Sequence, residues 1–368
     1  MSLTGQAFYY TTIIGTILGI TATLLLWSRV RGVGVLRALQ RIGMLVLCQV
    51  CAIAVTMTWV NDQYGLYASW SDLLGTNGSG HLVMSGPPPK TANFTSAMRG
   101  SESTFFRGPE SRLAGEVFVW TPPQYHQAAY KHDRFPVIEL LHGVPGEAQD
   151  WMTKGDMPGR LARMMAAGKL KPAIVVMPTL DPGGVDTDCS DTPRAKVATW
   201  LAKDVPRLLD RHFRVMAEPK GWALAGFSTG GFCAIKLAMQ YPKIFGIGGG
   251  MDSDPFNGDP TVLTDPALRK ANAPTTLAAE RPPVQLFAGT SVQDHWSPPS
   301  HITALQRVVR YPTVLAPPYI LSGGGHNWHT WGSIEPPLFA WMNTVLAPPQ
   351  NMKGSGPLGG VFRKILHP

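Results

Sequence analysis

The sequence predicts an α/β protein in which a mostly parallel, doubly wound sheet is preceded by two transmembrane helices. Short apolar runs alternate with helical stretches from about residue 105 to residue 348, as in strands covered by helices on both faces. Two longer apolar runs lie near the N-terminus. Charged residues make up only 15% of the chain and hydrophobic residues 44%, as expected when membrane segments accompany a soluble domain.

Residues 1–60 are predicted to form a membrane anchor. The first apolar run, residues 8–27, carries no charge and has roughly the 20 residues that cross a bilayer core. The second, residues 42–60, contains Gln49, so one span plus an amphipathic or buried helix is the alternative. A cleaved signal peptide is disfavoured because no basic side chain precedes Phe8.

The loop between the two runs is rich in arginine, and this sets the expected topology. It contains Arg29, Arg31, Arg37 and Arg41, and positively charged loops stay on the cytoplasmic side. Two spans therefore place the main domain outside the cytoplasm, in a multi-pass protein of the cell membrane. A single span would leave that domain inside.

The formal net charge of +8 does not indicate a nucleic-acid partner. The sequence has no Lys/Arg run with interleaved aromatic residues, and membrane topology explains the loop arginines. We therefore expect the membrane, and not nucleic acid, as a partner.

The chain after the anchor divides by composition. Residues 61–104 combine an aromatic stretch with a Gly/Ser/Pro-rich segment and are predicted to be a juxtamembrane segment and linker. Residues 105–348 are predicted to be the main folded domain and 349–368 a flexible tail. The expected strands are 116–120, 137–141, 173–177, 222–225, 284–288 and 319–321, and the expected helices are 156–168, 193–211, 230–240 and 298–310.

Residues 226–230 (GFSTG) form a G-x-S-x-G motif between an apolar strand and a helical stretch. This strand–turn–helix setting is that of a nucleophile elbow. Its glycines permit a tight turn that exposes Ser228, and the helix N-terminus favours negative charge that develops there. Ser228 is therefore the predicted nucleophile, the alternative being a glycine-rich turn that only requires a small residue.

A serine nucleophile needs a base and an orienting acid, which follow it in the chain order acid, then histidine. His326 lies in a glycine-rich loop (GGGHNW) after the last expected strand and is the predicted base, with His329 as its rival. Asp294 is the only carboxylate in the loop after the preceding strand and is the predicted acid. Asp252 and Asp254, which follow an earlier strand, are the alternatives.

Two backbone N–H groups are expected to stabilise the oxyanion. One belongs to Thr229, directly after the nucleophile, and the other to Val144, after the strand that ends in His142-Gly143. The implied chemistry is two-step acyl transfer through an acyl-enzyme, and we expect no metal or organic cofactor.

These motifs resemble those of the esterase D-type branch of the α/β-hydrolases, which includes the mycobacterial mycolyltransferases. The resemblance covers roughly residues 105–348 and rests on the elbow, on LLHGV at 140–144 and on HNWHTW at 326–331. It implies the α/β-hydrolase fold and supports the assignments of the histidine base and of both oxyanion donors. This chain has His142 where the mycolyltransferases carry an aspartate and Asp294 where they use a glutamate, and it adds the two-span anchor.

Three functions fit these residues. A membrane-anchored serine esterase would cleave a carboxylic ester, and an acyltransferase would use the same triad to move acyl chains onto an envelope sugar or other alcohol. A non-catalytic binding protein on the same fold is disfavoured because Ser228, Asp294 and His326 are all present. The tether favours a lipid or envelope ester as substrate, and residues 252–283 are the expected place for a lid.

The four cysteines fall into two pairs. Cys48 and Cys51 lie in the second apolar run, where they are expected to pack as small apolar side chains. Cys189 and Cys233 are candidates for a disulfide in an oxidising compartment, the alternative being a buried free Cys233 and an exposed Cys189. An acidic cluster beside Cys189 is expected to serve turns and helix caps rather than a cation; its members are Asp186, Asp188 and Asp191.

Overall fold

The computed structural model describes residues 6–64, 70–73, 92–182, 184–351 and 364. These residues fall into two compact units. The helix-pair unit lies within residues 1–80 and 324–330, and the sheet unit lies within residues 81–323 and 331–368.

The α-helices of the described residues range from single turns to one of 31 residues. In chain order they are Gln6–Leu26 (α1), Gly34–Tyr64 (α2), Trp70–Leu73 (α3), Asp150–Thr153 (α4), Gly159–Ala166 (α5), Val197–Thr199 (α6), Val205–His212 (α7), Thr229–Gln240 (α8), Pro266–Asn272 (α9), Pro274–Leu277 (α10), Pro299–Val308 (α11) and Trp328–Val345 (α12). A π-helical turn, Trp200–Asp204, joins α6 to α7.

The strands are short, as is usual for a sheet with helices on its faces. They are Thr95–Ser96 (β1), Glu102–Arg107 (β2), Ala114–Trp120 (β3), Asp133–Arg134 (β4), Val137–Leu141 (β5), Ile174–Pro178 (β6), Trp222–Phe227 (β7), Ile247–Met251 (β8), Gln285–Ser291 (β9), Val314–Leu315 (β10), Tyr319–Leu321 (β11) and Gln350–Asn351 (β12).

One large sheet forms the core of the sheet unit. Its described strands run in the order β1-β2-β3-β6-β5-β7-β8-β9-β10, and β11 also pairs with β9. The pairings from β6 across to β10 and β11 are parallel, whereas β1, β2 and β3 form an antiparallel edge. The predicted mostly parallel α/β sheet is thus confirmed, and the antiparallel edge is an addition to it.

The central strands are buried along their whole length. Every residue of β5, β6, β7 and β8 is buried, because helices cover a parallel sheet on both faces. Since β5 and β7 are neighbours in parallel register, with Leu141 opposite Gly226, the loop after β5 and the turn after β7 emerge at the same edge of the sheet.

Ordered elements extend past two predicted domain limits. Strands β1 and β2 begin before residue 105, and β12 pairs with β4 beyond residue 348. Strands β1, β4 and β12 have two residues each, too few to show an alternation that a sequence pattern could reveal. The remainder of the predicted linker and tail, residues 65–69, 74–91, 352–363 and 365–368, lies outside the described residues.

The helix-pair unit contains α1 and α2, which lie side by side. The Thr16 hydroxyl donates to the carbonyl oxygen of Cys51 at 3.2 Å, and the Thr23 hydroxyl lies 3.2 Å from Cys48 Sγ. Both helices are long and apolar enough to cross a membrane, and their large apolar side chains are exposed, Leu24 by 73%. The second helix begins at Gly34, earlier than the predicted run of 42–60.

Candidate active site

Ser228 lies on a sharp turn between β7 and α8, where its backbone is strained. Its φ of 55° and ψ of −129° are values that residues with a Cβ rarely adopt. The Ser228 N–H donates to the Met251 carbonyl at 2.9 Å, and the Ser228 carbonyl accepts from the N–H groups of Gly231 and Phe232. The surrounding chain therefore holds the strained serine at the N-terminus of α8.

Two glycines of the motif are required by close backbone contact. A Cβ on Gly226 would lie 2.7 Å from the Leu141 carbonyl oxygen, and a Cβ on Gly230 would overlap the same oxygen. The turn thus packs directly on the end of β5, which no larger residue at these two positions would permit.

The loop after β5 lies against Ser228. A Cβ on Gly143 would be 3.1 Å from the Cβ of Ser228, so the Gly143–Val144 peptide runs beside the serine. Thr229, the other predicted oxyanion residue, is buried as the first residue of α8. The structure therefore brings Ser228, Thr229 and the loop carrying Val144 together at one edge of the sheet.

Asp294 is buried in the loop after β9, where backbone donors hold its carboxylate. Its Oδ1 accepts hydrogen bonds from the N–H groups of Trp296 at 2.8 Å and Ser297 at 3.0 Å. Asp252, one of the alternatives, is also buried, and its carboxylate oxygen lies within 4.8 Å of that of Asp294. Asp254, the other alternative, is only half-buried. Two of the three candidate acids, Asp252 and Asp294, therefore lie close together in the structure.

His326 lies in the loop between β11 and α12 and belongs to the helix-pair unit. The next residue, Asn327, caps α12, because its Oδ1 accepts from the N–H groups of His329 at 3.0 Å and Thr330 at 3.1 Å. His329 is exposed in the first turn of that helix, whereas His326 is half-buried.

The helix that begins directly after Ser228, α8, is bonded to the loop at 188–190. A disulfide joins Cys189 to Cys233 in α8. Lys236, fully buried one turn further along, donates from Nζ to the carbonyl oxygens of Asp188 and Cys189, both at 2.8 Å, and to Ser190 Oγ at 2.7 Å. The sequence does not predict this role of Lys236, because its neighbours in the apolar helix do not indicate which residues its ammonium group binds.

Two of the three aspartates around this loop, Asp186 and Asp191, accept local hydrogen bonds as in turns and helix caps. Asp191 accepts from the backbone N–H of Thr199 at 2.9 Å and from its hydroxyl at 2.6 Å, at the start of the helical segment that begins with α6. Asp186 accepts from the N–H of Asp188 at 3.0 Å. Burial, reinforced by the neighbouring charges of Asp254 and Asp186, raises the pKa of Asp188 to about 8.

A cavity of about 360 Å³ opens beside the loop that follows Val144. Three carboxylates, Glu116, Glu147 and Asp181, line it together with the rings of Phe105 and Phe118. Burial raises the pKa of both Glu116 and Asp181. The cavity therefore has carboxyl groups and aromatic rings in its walls, and residues 146–149 of the loop after β5 line one part of it.

A serine on a strained strand–helix turn of a parallel sheet, with a backbone loop against its Cβ, is the arrangement typical of the nucleophile elbow in the α/β-hydrolase fold. Residues 114–255, which include Ser228, match the model of the Esterase family. This part of the chain is therefore similar to the Esterase family.

Two curated relatives are similar to parts of the chain. An esterase of Mycobacterium tuberculosis is 39% identical over 112 residues, which are 29% of this chain and 23% of that protein. An uncharacterised protein of Corynebacterium glutamicum is 26% identical over 134 residues, which are 36% of this chain and 31% of that protein. The chain thus spans less than a third of each of these relatives.

A solved structure agrees with the fold. A ferulic acid esterase superimposes with a TM-score of 0.57 at 19% identity, covering 69% of this chain and 100% of that one. At this identity the likeness shows the α/β-hydrolase fold, as the sequence predicted.

Proposed function

We propose that this chain is a serine esterase that cleaves a carboxylic ester through an acyl-enzyme on Ser228. The conformation of Ser228 carries the proposal, because a strained non-glycine turn persists only where the surrounding structure enforces it, and such strain clusters at reactive sites. The match of residues 114–255 to the Esterase family supports the same reaction.

In the proposed reaction, His326 takes the proton of the Ser228 hydroxyl as Oγ attacks the carbonyl carbon of the ester. The N–H groups of Thr229 and Val144 stabilise the tetrahedral oxyanion. Collapse of this intermediate expels the alcohol, which leaves with the proton from His326. Water then attacks the acyl carbon as His326 takes its proton, the bond from that carbon to Ser228 Oγ breaks, and Oγ regains its proton from His326 as the carboxylic acid leaves. Asp294 orients the imidazole and stabilises its protonated form.

Labelling with a fluorophosphonate probe tests the proposal. The purified full chain in mild detergent is expected to carry one adduct on Ser228 by mass spectrometry and to hydrolyse short-chain p-nitrophenyl esters. S228A should lose both properties, whereas S253A should keep them, because Ser253 is a buried serine beside the same helix. A folded wild-type chain without adduct or turnover would favour the non-catalytic binding protein instead.

The two histidines can be distinguished in the same assay. H326A is expected to lose turnover by several orders of magnitude, as when a triad member is removed. H329A, which alters an exposed side chain in the same segment, should remain close to wild type. The reverse result would transfer the role of base to His329.

The acidic cavity supports a second candidate function, transfer of the acyl group to a sugar or other alcohol. Carboxylates and aromatic rings are suited to hydroxyl-rich acceptors, and Glu147 and Asp181 line the cavity close to the oxyanion loop. Incubation of the enzyme with a short-chain ester and a disaccharide should then yield acylated sugar as well as free acid. E147Q is expected to lower the ratio of transfer to hydrolysis, and free acid alone would leave only the esterase.

The proposed location is a cell membrane, with α1 and α2 as two spans and the sheet unit outside the cytoplasm. Their length, their exposed apolar side chains and four arginines support this arrangement; Arg29 and Arg31 lie between the helices, and Arg37 and Arg41 lie in the first turns of α2. With Cys48 and Cys51 replaced by alanine, a membrane-impermeant maleimide should label E280C in intact cells but S28C only after lysis. The opposite labelling would contradict the topology.

A further inference from the structure

His142 is fully buried behind the loop that carries Val144, and both of its ring nitrogens have backbone partners. Nδ1 lies 2.8 Å from the carbonyl oxygen of Gly143, and the N–H of Leu180 donates to Nε2 at 2.9 Å. The ring therefore connects the loop after β5 to the loop after β6.

The chemistry of these partners fixes the protonation of the ring. A backbone N–H can only donate, so Nε2 is the unprotonated acceptor, and in a neutral imidazole the hydrogen then lies on Nδ1. Burial lowers the pKa of His142, which favours the neutral ring, although the hydrogen bond to Gly143 and the charges of Asp181, Asp150 and Glu147 act in the opposite direction. Nδ1–H is therefore the donor to the Gly143 carbonyl.

This hydrogen bond sets the direction of the next N–H group. In a trans peptide the C=O and the following N–H point to opposite sides. Since the Gly143 carbonyl faces the His142 ring, the N–H of Val144 points away from it. The Gly143–Val144 peptide lies beside Ser228. The imidazole therefore determines whether the C=O or the N–H of that peptide faces Ser228.

We propose that His142 is the positioning residue of the oxyanion hole, in which its Nδ1-protonated ring holds the Val144 N–H toward the ester carbonyl oxygen bound at Ser228. This role rests on the proposed esterase function. A flipped peptide would present the Gly143 carbonyl oxygen to the developing oxyanion and repel it. His142 itself does not touch the substrate.

Substitution of His142 by asparagine or by glutamine tests the hydrogen bonds to Gly143 and to Leu180 separately. The asparagine amide nitrogen can stand near the position of Nδ1 and donate to Gly143, whereas the glutamine amide oxygen can reach the position of Nε2 and accept from Leu180. We expect H142Q to lower kcat about 100-fold with KM nearly unchanged, the loss typical of one oxyanion donor, and H142N to retain kcat within about 5-fold.

The experiment uses the full chain in mild detergent, with a p-nitrophenyl ester as substrate and thermal unfolding of each variant as control. Equal losses of kcat in H142N and H142Q, or losses that follow the unfolding temperature, would assign His142 a purely structural role and overturn the proposal. A wild-type chain that neither turns over nor labels at Ser228 would instead overturn the esterase function, so the two failures are distinguishable.

A second measurement does not depend on the folding of any variant. Nitrogen NMR of the ¹⁵N-histidine-labelled wild-type chain is expected to show His142 protonated on Nδ1 and unprotonated on Nε2. The opposite tautomer, or a charged ring at neutral pH, would overturn the positioning role.

Discussion

The ring of Phe227, the residue before Ser228, stacks on the ring of Trp331 with centroids 4.1 Å apart and planes 20° from parallel. Trp151 meets the same phenyl ring edge-on at 5.0 Å. All three side chains are buried. The backbone that leads into the turn at Ser228 is therefore held between side chains from α4 and α12.

Removal of the Trp331 ring is expected to destabilise the fold by about 3–5 kcal/mol, as for other large buried aromatic residues. W331A should also react more slowly with a fluorophosphonate, because Phe227 loses the surface that fixes it. Trp341 offers a matched control, since it is only half-buried and lies 5.5 Å from Phe287. Urea unfolding and labelling rates that are the same in W331A and W341A would contradict this account.

The strained backbone of Ser228 should make glycine more stable than alanine at this position. Both substitutions remove the hydroxyl group, but only alanine keeps the Cβ that disfavours a φ of 55°. We expect S228G to exceed S228A in free energy of unfolding by about 1–2 kcal/mol, which is the strain relieved less the entropy of glycine in the unfolded chain. Urea denaturation compares the two inactive variants directly, and a more stable S228A would count against strain.

Glu139 should make the fold less stable as pH rises. Its carboxyl group is fully buried in β5 with no hydrogen-bond partner among the described residues, and burial raises its pKa well above 4.5. A carboxyl whose pKa is raised by folding contributes stability below its unfolded pKa, and this contribution is lost as pH increases above that value.

Replacement of Glu139 by glutamine, its neutral isostere, removes this dependence. The stability advantage of E139Q over wild type should therefore grow from pH 5 to pH 8, by up to about 1.4 kcal/mol per pH unit. E280Q, which alters an exposed carboxylate, should show a constant difference. Urea unfolding at both pH values measures each change, and a constant difference for E139Q as well would mean that Glu139 is not buried as described.

The parallel core and the elbow were predictable from local sequence. Strand β5 and the apolar start of β7 are nearly uninterrupted apolar runs, and the G-x-S-x-G motif is contiguous. The sequence of strand β8, IGGGM, does not predict where the strand begins and ends, because glycines carry no apolar pattern. Helix α12 was missed because Pro336 and Pro337 lie inside it.

Relationships across long stretches of chain could not be predicted. The hydrogen bond from Leu180 to His142 joins two loops that become neighbours only when β5 and β6 pair. In the sequence, His142 is therefore notable only because the mycolyltransferases, which the chain resembles, carry an aspartate at this position. The partnership of Asp294 with His326 likewise depends on chain order and stays a prediction that mutagenesis must test.

The disulfide between Cys189 and Cys233 is expected to contribute to stability. It closes a loop with a sequence separation of 44, for which the chain-entropy model gives about 4 kcal/mol. C189A/C233A should therefore unfold at lower urea concentration than wild type, and a reductant should shift wild type toward the double variant. Insensitivity of the wild-type transition to reductant would argue that the bond does not form in the purified protein.

Lys236 should stabilise the same loop independently of the disulfide. Its ammonium group has three donors and meets three acceptors at 188–190. Burial lowers its pKa to about 7, so unfolding is best compared at pH 6, where the ammonium form prevails. K236M leaves those acceptors without their donor, and we expect a loss of about 3–5 kcal/mol. K243M, which alters an exposed lysine beyond the same helix, should stay within about 0.5 kcal/mol of wild type. If K236M proved as stable as K243M, the loop would have to be held by the disulfide alone.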